Sequence, residues 1–218
     1  MLRFGFEHLA SPIRHVLCLG AHSDDIEIGC GGTVLKIAAQ PDPPEFTWVV
    51  FTSDSTREAE ALRSAEQFLR HARHRRIIIK KFRDGFLPYE GALVKEAFIE
   101  LRGMVSPDLV LTHYRNDLHQ DHRLISELTW NTFRDHLILE YEIPKYDGDL
   151  GVPNVFVPLS ESVCREKIDT ILTTFASQAD NRWFTAELFR SLLRLRGMEC
   201  NSPSNYAEAF HGRKLLVG

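Results

Sequence analysis

The sequence predicts an α/β domain of the Rossmann-like kind, a three-layer sandwich in which helices cover both faces of a mostly parallel sheet. Two observations carry that expectation. Short apolar runs recur along the chain, and longer stretches with helical periodicity lie between them. Strands that alternate with helices imply right-handed crossovers, each returning the chain to a parallel neighbour.

Taken in order, His15-Val16-Leu17-Cys18-Leu19 has the apolar run of a buried strand, and Gly32 to Ala39 suits a helix. Thr47 to Phe51 is a second strand, Arg57 to His74 a helix, and Ile77 to Ile79 a third strand. The helix over Ala92 to Met104 stops at Ser106-Pro107, because the residue before a proline avoids helical backbone. Leu109 to Leu111 follows as a strand. Beyond Arg134, strands are expected at Leu137 to Tyr141 and Asn154 to Val157, with helices at Ser162 to Phe175 and Trp183 to Leu195. The Phe and Leu residues of the last stretch recur at helical spacing and are expected to face the core. The irregular stretch 143–151 is either a plain connection or, through Tyr146, Asp147 and Asp149, the rim of a sugar site. All of this fits one domain over residues 1–218.

A net charge of -4, with 26% charged residues, gives no reason to expect a nucleic-acid partner. No apolar run is long enough to cross a bilayer, and the first fifteen residues lack a signal-peptide core, so the chain is expected to be soluble and cytoplasmic. Cys18, Cys30, Cys164 and Cys200 form no Cys-x-x-Cys pair and are read as reduced thiols, with disulfides in a secreted protein as the alternative. The basic run Arg70 to Arg76 is read as a solvated helix end, the alternative being a patch for an anionic sugar or phosphate. His8, His15 and His136 carry no motif and are read as structural or exposed; His211 is a candidate to reach the site from the C-terminus.

Two loops carry chemistry. The first, Gly20-Ala21-His22-Ser23-Asp24-Asp25-Ile26-Glu27 through Gly32-Thr33, follows the first strand, where open α/β sheets bind their ligands. A dinucleotide loop would need bare glycine backbone at the turn; here the turn carries Asp24, Asp25 and nearby Glu27, whose charge repels phosphate. The glycines come later, where they let a helix pack closely on the sheet. The bland alternative for His22-x-x-Asp25 is a turn in which Asp25 accepts backbone hydrogen bonds.

The second loop, Thr112-His113-Tyr114-Arg115-Asn116-Asp117-Leu118-His119-Gln120-Asp121-His122, follows the Leu109 strand. If that strand's end lies beside the end of the first, His22, Asp25 and His122 converge as two imidazoles and one carboxylate. Three protein ligands with a vacancy for water are what a catalytic zinc site requires, and the mixed donor set also admits iron(II) or cobalt(II). Satisfied loop histidines and surface acids are the alternative.

With both motifs in view, the chain resembles the PIG-L/LmbE family of zinc-dependent N-deacetylases. Its Ala-His-Pro-Asp-Asp and Gly-Cys-Gly-Gly-Thr patterns are matched by Ala21 to Asp25 and Gly29 to Thr33, with Ser23 in place of Pro and Glu27 supplying an acid where Ile26 departs from the pattern. The family's His-x-x-Asp-x-His-x-Asp-His is close to Arg115 through His122; its leading histidine falls near His113 or Tyr114, out of register, and His113 is assigned no role. The likeness extends through Leu62 to Glu66, Ser177-Gln178 and Tyr206 to Phe210.

The resemblance implies removal of an acetyl group from an amide nitrogen, commonly on an amino sugar or glycoconjugate; the alternatives are an amidase of a thiol or other small-molecule conjugate on the same scaffold, and a non-catalytic metal- or carbohydrate-binding module. It also leaves a homo-oligomer as an open expectation. Asp24, beside ligand Asp25, is free to act as general base. A cationic His119 would stabilise the oxyanion, and Asp24 or His119 would protonate the leaving amine. Asp121 is expected to hold His119 protonated and oriented, with Asp117 a weaker candidate for that job. Arg63 resembles the family's substrate-contacting arginine; its alternative is a solvated helix residue.

Overall fold

Side chains of a strand point alternately to the two faces of a sheet, and in β1 (His15–Gly20) both faces are buried. Val16 and Cys18 join one apolar cluster; Leu17 and Leu19 join the other. The first cluster is completed by α1 (Asp25–Ala38), α2 (Ser55–Phe68), α5 (Glu161–Thr174) and α6 (Ala186–Glu199), through residues such as Val34, Phe68, Ile171 and Phe189. The second is completed by α3 (Gly91–Met104) and α4 (Gln120–Thr132), through Phe98 and Ile125. The three-layer α/β sandwich expected from the sequence is thus the architecture of this computed structural model, which describes residue 5 and residues 12–216. The expectation for His8 lies outside the described residues.

The other strands are β2 (Glu45–Thr52), β3 (Arg75–Phe82), β4 (Leu109–His113), β5 (Leu137–Tyr141), β6 (Val155–Pro158) and β7 (Ala207–Gly212). Their order is β3-β2-β1-β4-β5-β7-β6; the first five are parallel, and β7 pairs antiparallel with β5 and β6. From β1 the chain builds outward to β2 and β3, then returns to β4 on the opposite side. The connections after β1 and β4 therefore diverge, which opens a crevice at the carboxyl ends of two adjacent strands.

Several element boundaries differ from expectation. The first helix starts at Asp25 rather than Gly32, so the glycines lie inside it. Their reason is packing: a Cβ on Gly29 would sit 2.1 Å from the Tyr141 ring, and one on Gly31 2.5 Å from Phe68. At Gly32 the bare backbone lets Glu208 of β7 accept from the Gly32 and Thr33 N–H groups at 2.7 and 2.6 Å. Lys167 of α5 donates to the Ile28 carbonyl at 2.7 Å and to Glu208 at 2.6 Å. A buried ion pair thereby fastens α1 to the C-terminal half of the chain. The second helix ends at Phe68, leaving the basic run to a turn and the start of β3. Helix α4 and strand β7 are additions that the apolar pattern does not predict.

Candidate metal centre and its crevice

The end of β1 and the start of α1 deliver His22, Asp24 and Asp25; the β4–α4 connection delivers His113, Asp117, His119, Asp121 and His122. Because β1 and β4 are neighbours, the two groups meet. His22 Nδ1 lies 3.1 Å from His122 Nε2 and 3.3 Å from Asp25 Oδ2, while Asp25 Oδ1 lies 3.5 Å from His122 Nε2. Donors about 2.0–2.1 Å from a tetrahedral zinc stand roughly 3.3 Å apart, a spacing that these pairs approach, with the two histidines facing different oxygens of Asp25. The capped-turn alternative holds at the same time, since Asp25 Oδ2 accepts the His22 backbone N–H at 2.6 Å.

Each imidazole is held from behind by a carboxylate. Asp117 Oδ2 lies 2.9 Å from His122 Nδ1 and accepts from Lys145 at 2.8 Å, while its Oδ1 accepts the His119 backbone N–H at 2.8 Å. Asp121 Oδ2 lies 3.3 Å from His22 Nε2, and Asp84 Oδ1 lies 3.1 Å from the same atom. A histidine whose far nitrogen donates to a carboxylate keeps the near nitrogen as a lone-pair donor. The expected pairing of Asp121 with His119 is not what the structure contains. His119 is the N-cap of α4 and its Nδ1 accepts the Asp121 backbone N–H at 3.3 Å, whereas the Asp121 carboxylate is buried on the opposite side, fixed by the N–H groups of Gly85 and Leu87 at 2.8 and 3.1 Å.

Burial penalises the Asp25 carboxylate, but the surrounding His122, His113 and His22 outweigh it and hold the group well below the usual carboxylate range. Burial, and after it the neighbouring His113, push His122 down to about 3. Burial raises Asp24 against the pull of Arg57, whose guanidinium donates to Asp24 Oδ1 at 2.7 Å. His119 is lowered by burial and by His22. That direction runs against the cationic His119 expected from the sequence.

Arg63 is exposed and does not line the crevice, whereas Arg57, in the first turn of α2, does line it and pairs with Asp24. Six residues of helix rise about 9 Å, which takes Arg63 away from the carboxyl ends of the strands. The spacing Arg-x-x-Glu also occurs at Arg57–Glu60, and position next to the β2 connection is the signal that distinguishes it from Arg63–Glu66. His113 is a second residue that sequence reasoning missed. It is fully buried, its ring stacks on His122 with centroids 3.9 Å apart, and its Nε2 accepts the Ala21 N–H at 2.9 Å.

Among the described residues, three groups have donor atoms within 4.8 Å of one another: Asp25, His113 and His122; His22, His119 and His122; and His22, Asp84 and Asp121. The His113 lone pair is already used by Ala21, which disfavours the first of these. His211 stacks on Tyr114 at 3.7 Å and does not line the crevice. From the 143–151 stretch, Pro144 and Lys145 do line it, as do Gln178 and Trp183, around a cavity of about 200 Å³. Trp183 lies outside the core-facing helix expected to contain it, because that helix begins at Ala186.

Among solved structures, the N,N'-diacetylchitobiose deacetylase of Pyrococcus horikoshii is similar over 95% of this chain and 85% of its own, with a TM-score of 0.71 and 22% identity. A conserved protein of Thermus thermophilus matches over 93% and 96%, at TM-score 0.71 and 19% identity. The 4-carboxy-2-hydroxymuconate hydratase of Pseudomonas putida matches over 94% and 98%, at TM-score 0.75 and 17% identity. These likenesses establish the fold that the three share with this chain. The family model described as PIG-L, GlcNAc-PI de-N-acetylase, matches residues 17–133, which span both loops of the centre and more than half of the sequence, and the chain belongs to that family.

Proposed function

We propose that the chain is a metal-dependent hydrolase that removes the acetyl group from an N-acetylated amino sugar or its conjugate. The observation that carries this reading is the convergence of His22, Asp25 and His122, each backed by its own hydrogen-bond partner, beside an unliganded acid, Asp24. Family membership and the deacetylase among the similar structures support the reaction class. The hydratase among them is a reminder that this fold hosts other chemistry, so the residues of the site must bear the weight.

His22, Asp25 and His122 would hold zinc, or iron(II) or cobalt(II) given the mixed donors, and the bound ion would supply Lewis-acid chemistry towards the amide carbonyl and the attacking water. Asp24 takes the proton of the attacking water; its raised pKa suits a base that must later release that proton. Arg57 orients Asp24 through their 2.7 Å ion pair. Because His119 Nδ1 accepts from Asp121, its neutral ring carries the proton on Nε2 and donates it as a hydrogen bond to the oxygen that gains charge on attack. Asp24 then returns the proton to the departing nitrogen as the C–N bond breaks, leaving acetate and a free amine.

Metal analysis of the purified protein coupled to an amine-release screen on N-acetyl sugars tests the reading. The expected result is about one divalent ion per chain and chelator-sensitive release of amine. His122→Ala should lose both. Full metal binding by His122→Ala, or amine release that chelation does not touch, would overturn it.

A further inference from the structure

The crevice extends beyond the metal-binding side chains to a wall that the hydrolytic steps do not use. Trp183 and Gln178 belong to that wall, together with Ile143 and Pro144. The indole of Trp183 is only partly buried. It meets the ring of Phe184 edge-on at 5.5 Å and that of Phe189 at 6.4 Å, and these two rings are themselves edge-to-face at 5.4 Å. Both phenylalanines are core residues, 5% and 3% exposed. One part of the indole is therefore anchored on the core, and the rest is presented to the cavity.

The backbone around it is fixed as well. The Thr185 N–H donates to the Trp183 carbonyl at 2.9 Å, and the Phe184 N–H to the Asn181 carbonyl at 3.0 Å. Upstream, buried Glu60 of α2 accepts the Ser177 N–H at 2.9 Å and the Ser177 hydroxyl at 2.6 Å. Glu60 lies one turn after Arg57, the partner of Asp24. The segment that carries Gln178 is thus tied to the same helix that orients the base.

We propose that Trp183 is the platform on which the pyranose ring of the substrate stacks, with Gln178, whose amide already donates to the Ser177 hydroxyl at 3.2 Å and accepts from Asn181 at 3.0 Å, giving its second N–H and remaining lone pair to the sugar hydroxyls. A sugar ring has an apolar C–H face and a polar rim. A rigid indole covers the first at little entropic cost, and a carboxamide, which both donates and accepts, suits the second. Cleaving a small acyl amide would need neither group. The inference rests on the reading of the site as an amino-sugar deacetylase and adds the element that selects the sugar.

The zinc-loaded wild-type chain is compared with Trp183→Leu, which keeps apolar bulk against Phe184 and Phe189, and Trp183→Phe, which keeps a flat ring. With N-acetylglucosamine as substrate, Trp183→Leu should raise KM about tenfold with kcat little changed, and Trp183→Phe should recover most of the loss. Titrating N-acetylglucosamine into Asp24→Asn protein should change tryptophan fluorescence in a saturable way, and the change should vanish when Trp183→Phe is added, since Trp48 is fully buried and Trp130, which donates to Glu140, does not line the crevice. Wild-type KM in a folded Trp183→Leu variant, or fluorescence indifferent to the sugar, overturns the platform. Should Trp183→Leu fail to fold, the Trp183→Phe fluorescence comparison decides. A saturable response in Asp24→Asn protein, beside a zinc-loaded wild-type chain that releases no amine, leaves the platform standing and removes the deacetylase reading instead.

Discussion

Replacing Asp117 by asparagine should weaken metal binding about 10–100-fold, although Asp117 is not a ligand in the proposed set. Its two oxygens receive from three directions: His122 Nδ1 and Lys145 on Oδ2, and the His119 backbone N–H on Oδ1. A carboxamide has the same shape but only one accepting atom. If the amide oxygen serves His122 and Lys145, the NH2 group faces the His119 N–H, and a buried donor is left unmet. If the oxygen serves His119, the NH2 group faces both the Lys145 ammonium and His122 Nδ1. The imidazole can then satisfy it only by moving its own proton to Nε2, the atom that faces the metal. The first arrangement burdens apo and metal-bound protein alike, whereas the second takes the lone pair from the metal-facing atom and costs about 1–3 kcal/mol of metal binding. At roughly 1.4 kcal/mol per tenfold, that cost corresponds to the stated loss of affinity. Zinc affinity measured by competition with a chelating dye, on protein whose thermal unfolding is checked in parallel, reads it out. A dissociation constant within about twofold of wild type, in folded protein, would refute the chain of reasoning from Asp117 through His122 to the metal.

Asp24→Asn should retain full metal content and lose about 10²–10⁴-fold in kcat, measured by amine release, because only the proton acceptor is gone. Arg57→Met should lower kcat by unfastening Asp24, while Arg63→Ala, an exposed substitution away from the crevice, should stay within about twofold in the same assay. Lys167→Met should destabilise the fold by about 3–5 kcal/mol, seen in calorimetry as a Tm roughly 6–20 °C lower, because Glu208 loses its cation while remaining buried under α1.

Much of the fold was legible because its cause is local. The apolar runs that became β1, β2, β4 and β5 bury both faces, and burial on both faces leaves a continuous run in the sequence. Helix α4 was hidden because its N-cap is His119, whose ring accepts the capping hydrogen bond, in a segment already crowded with metal-binding residue types. Strand β7 was hidden because Glu208, its second residue, is a buried acid within a six-residue strand; it is buried only because Lys167 and the α1 backbone complete its hydrogen bonds.

By itself the sequence determined the residue types available to the centre and the two strand ends that present them, since both follow from short-range order along the chain. It could not say which acid stands behind which imidazole. Asp121 backs His22 and Asp117 backs His122, across separations of 99 and 5 residues. Nor could it choose Arg57 over Arg63, or bring Trp183 to the crevice. Those choices depend on strand order and on how far each helix carries a side chain from the carboxyl edge of the sheet. They are properties of packing between distant segments, and no periodicity within one segment encodes them.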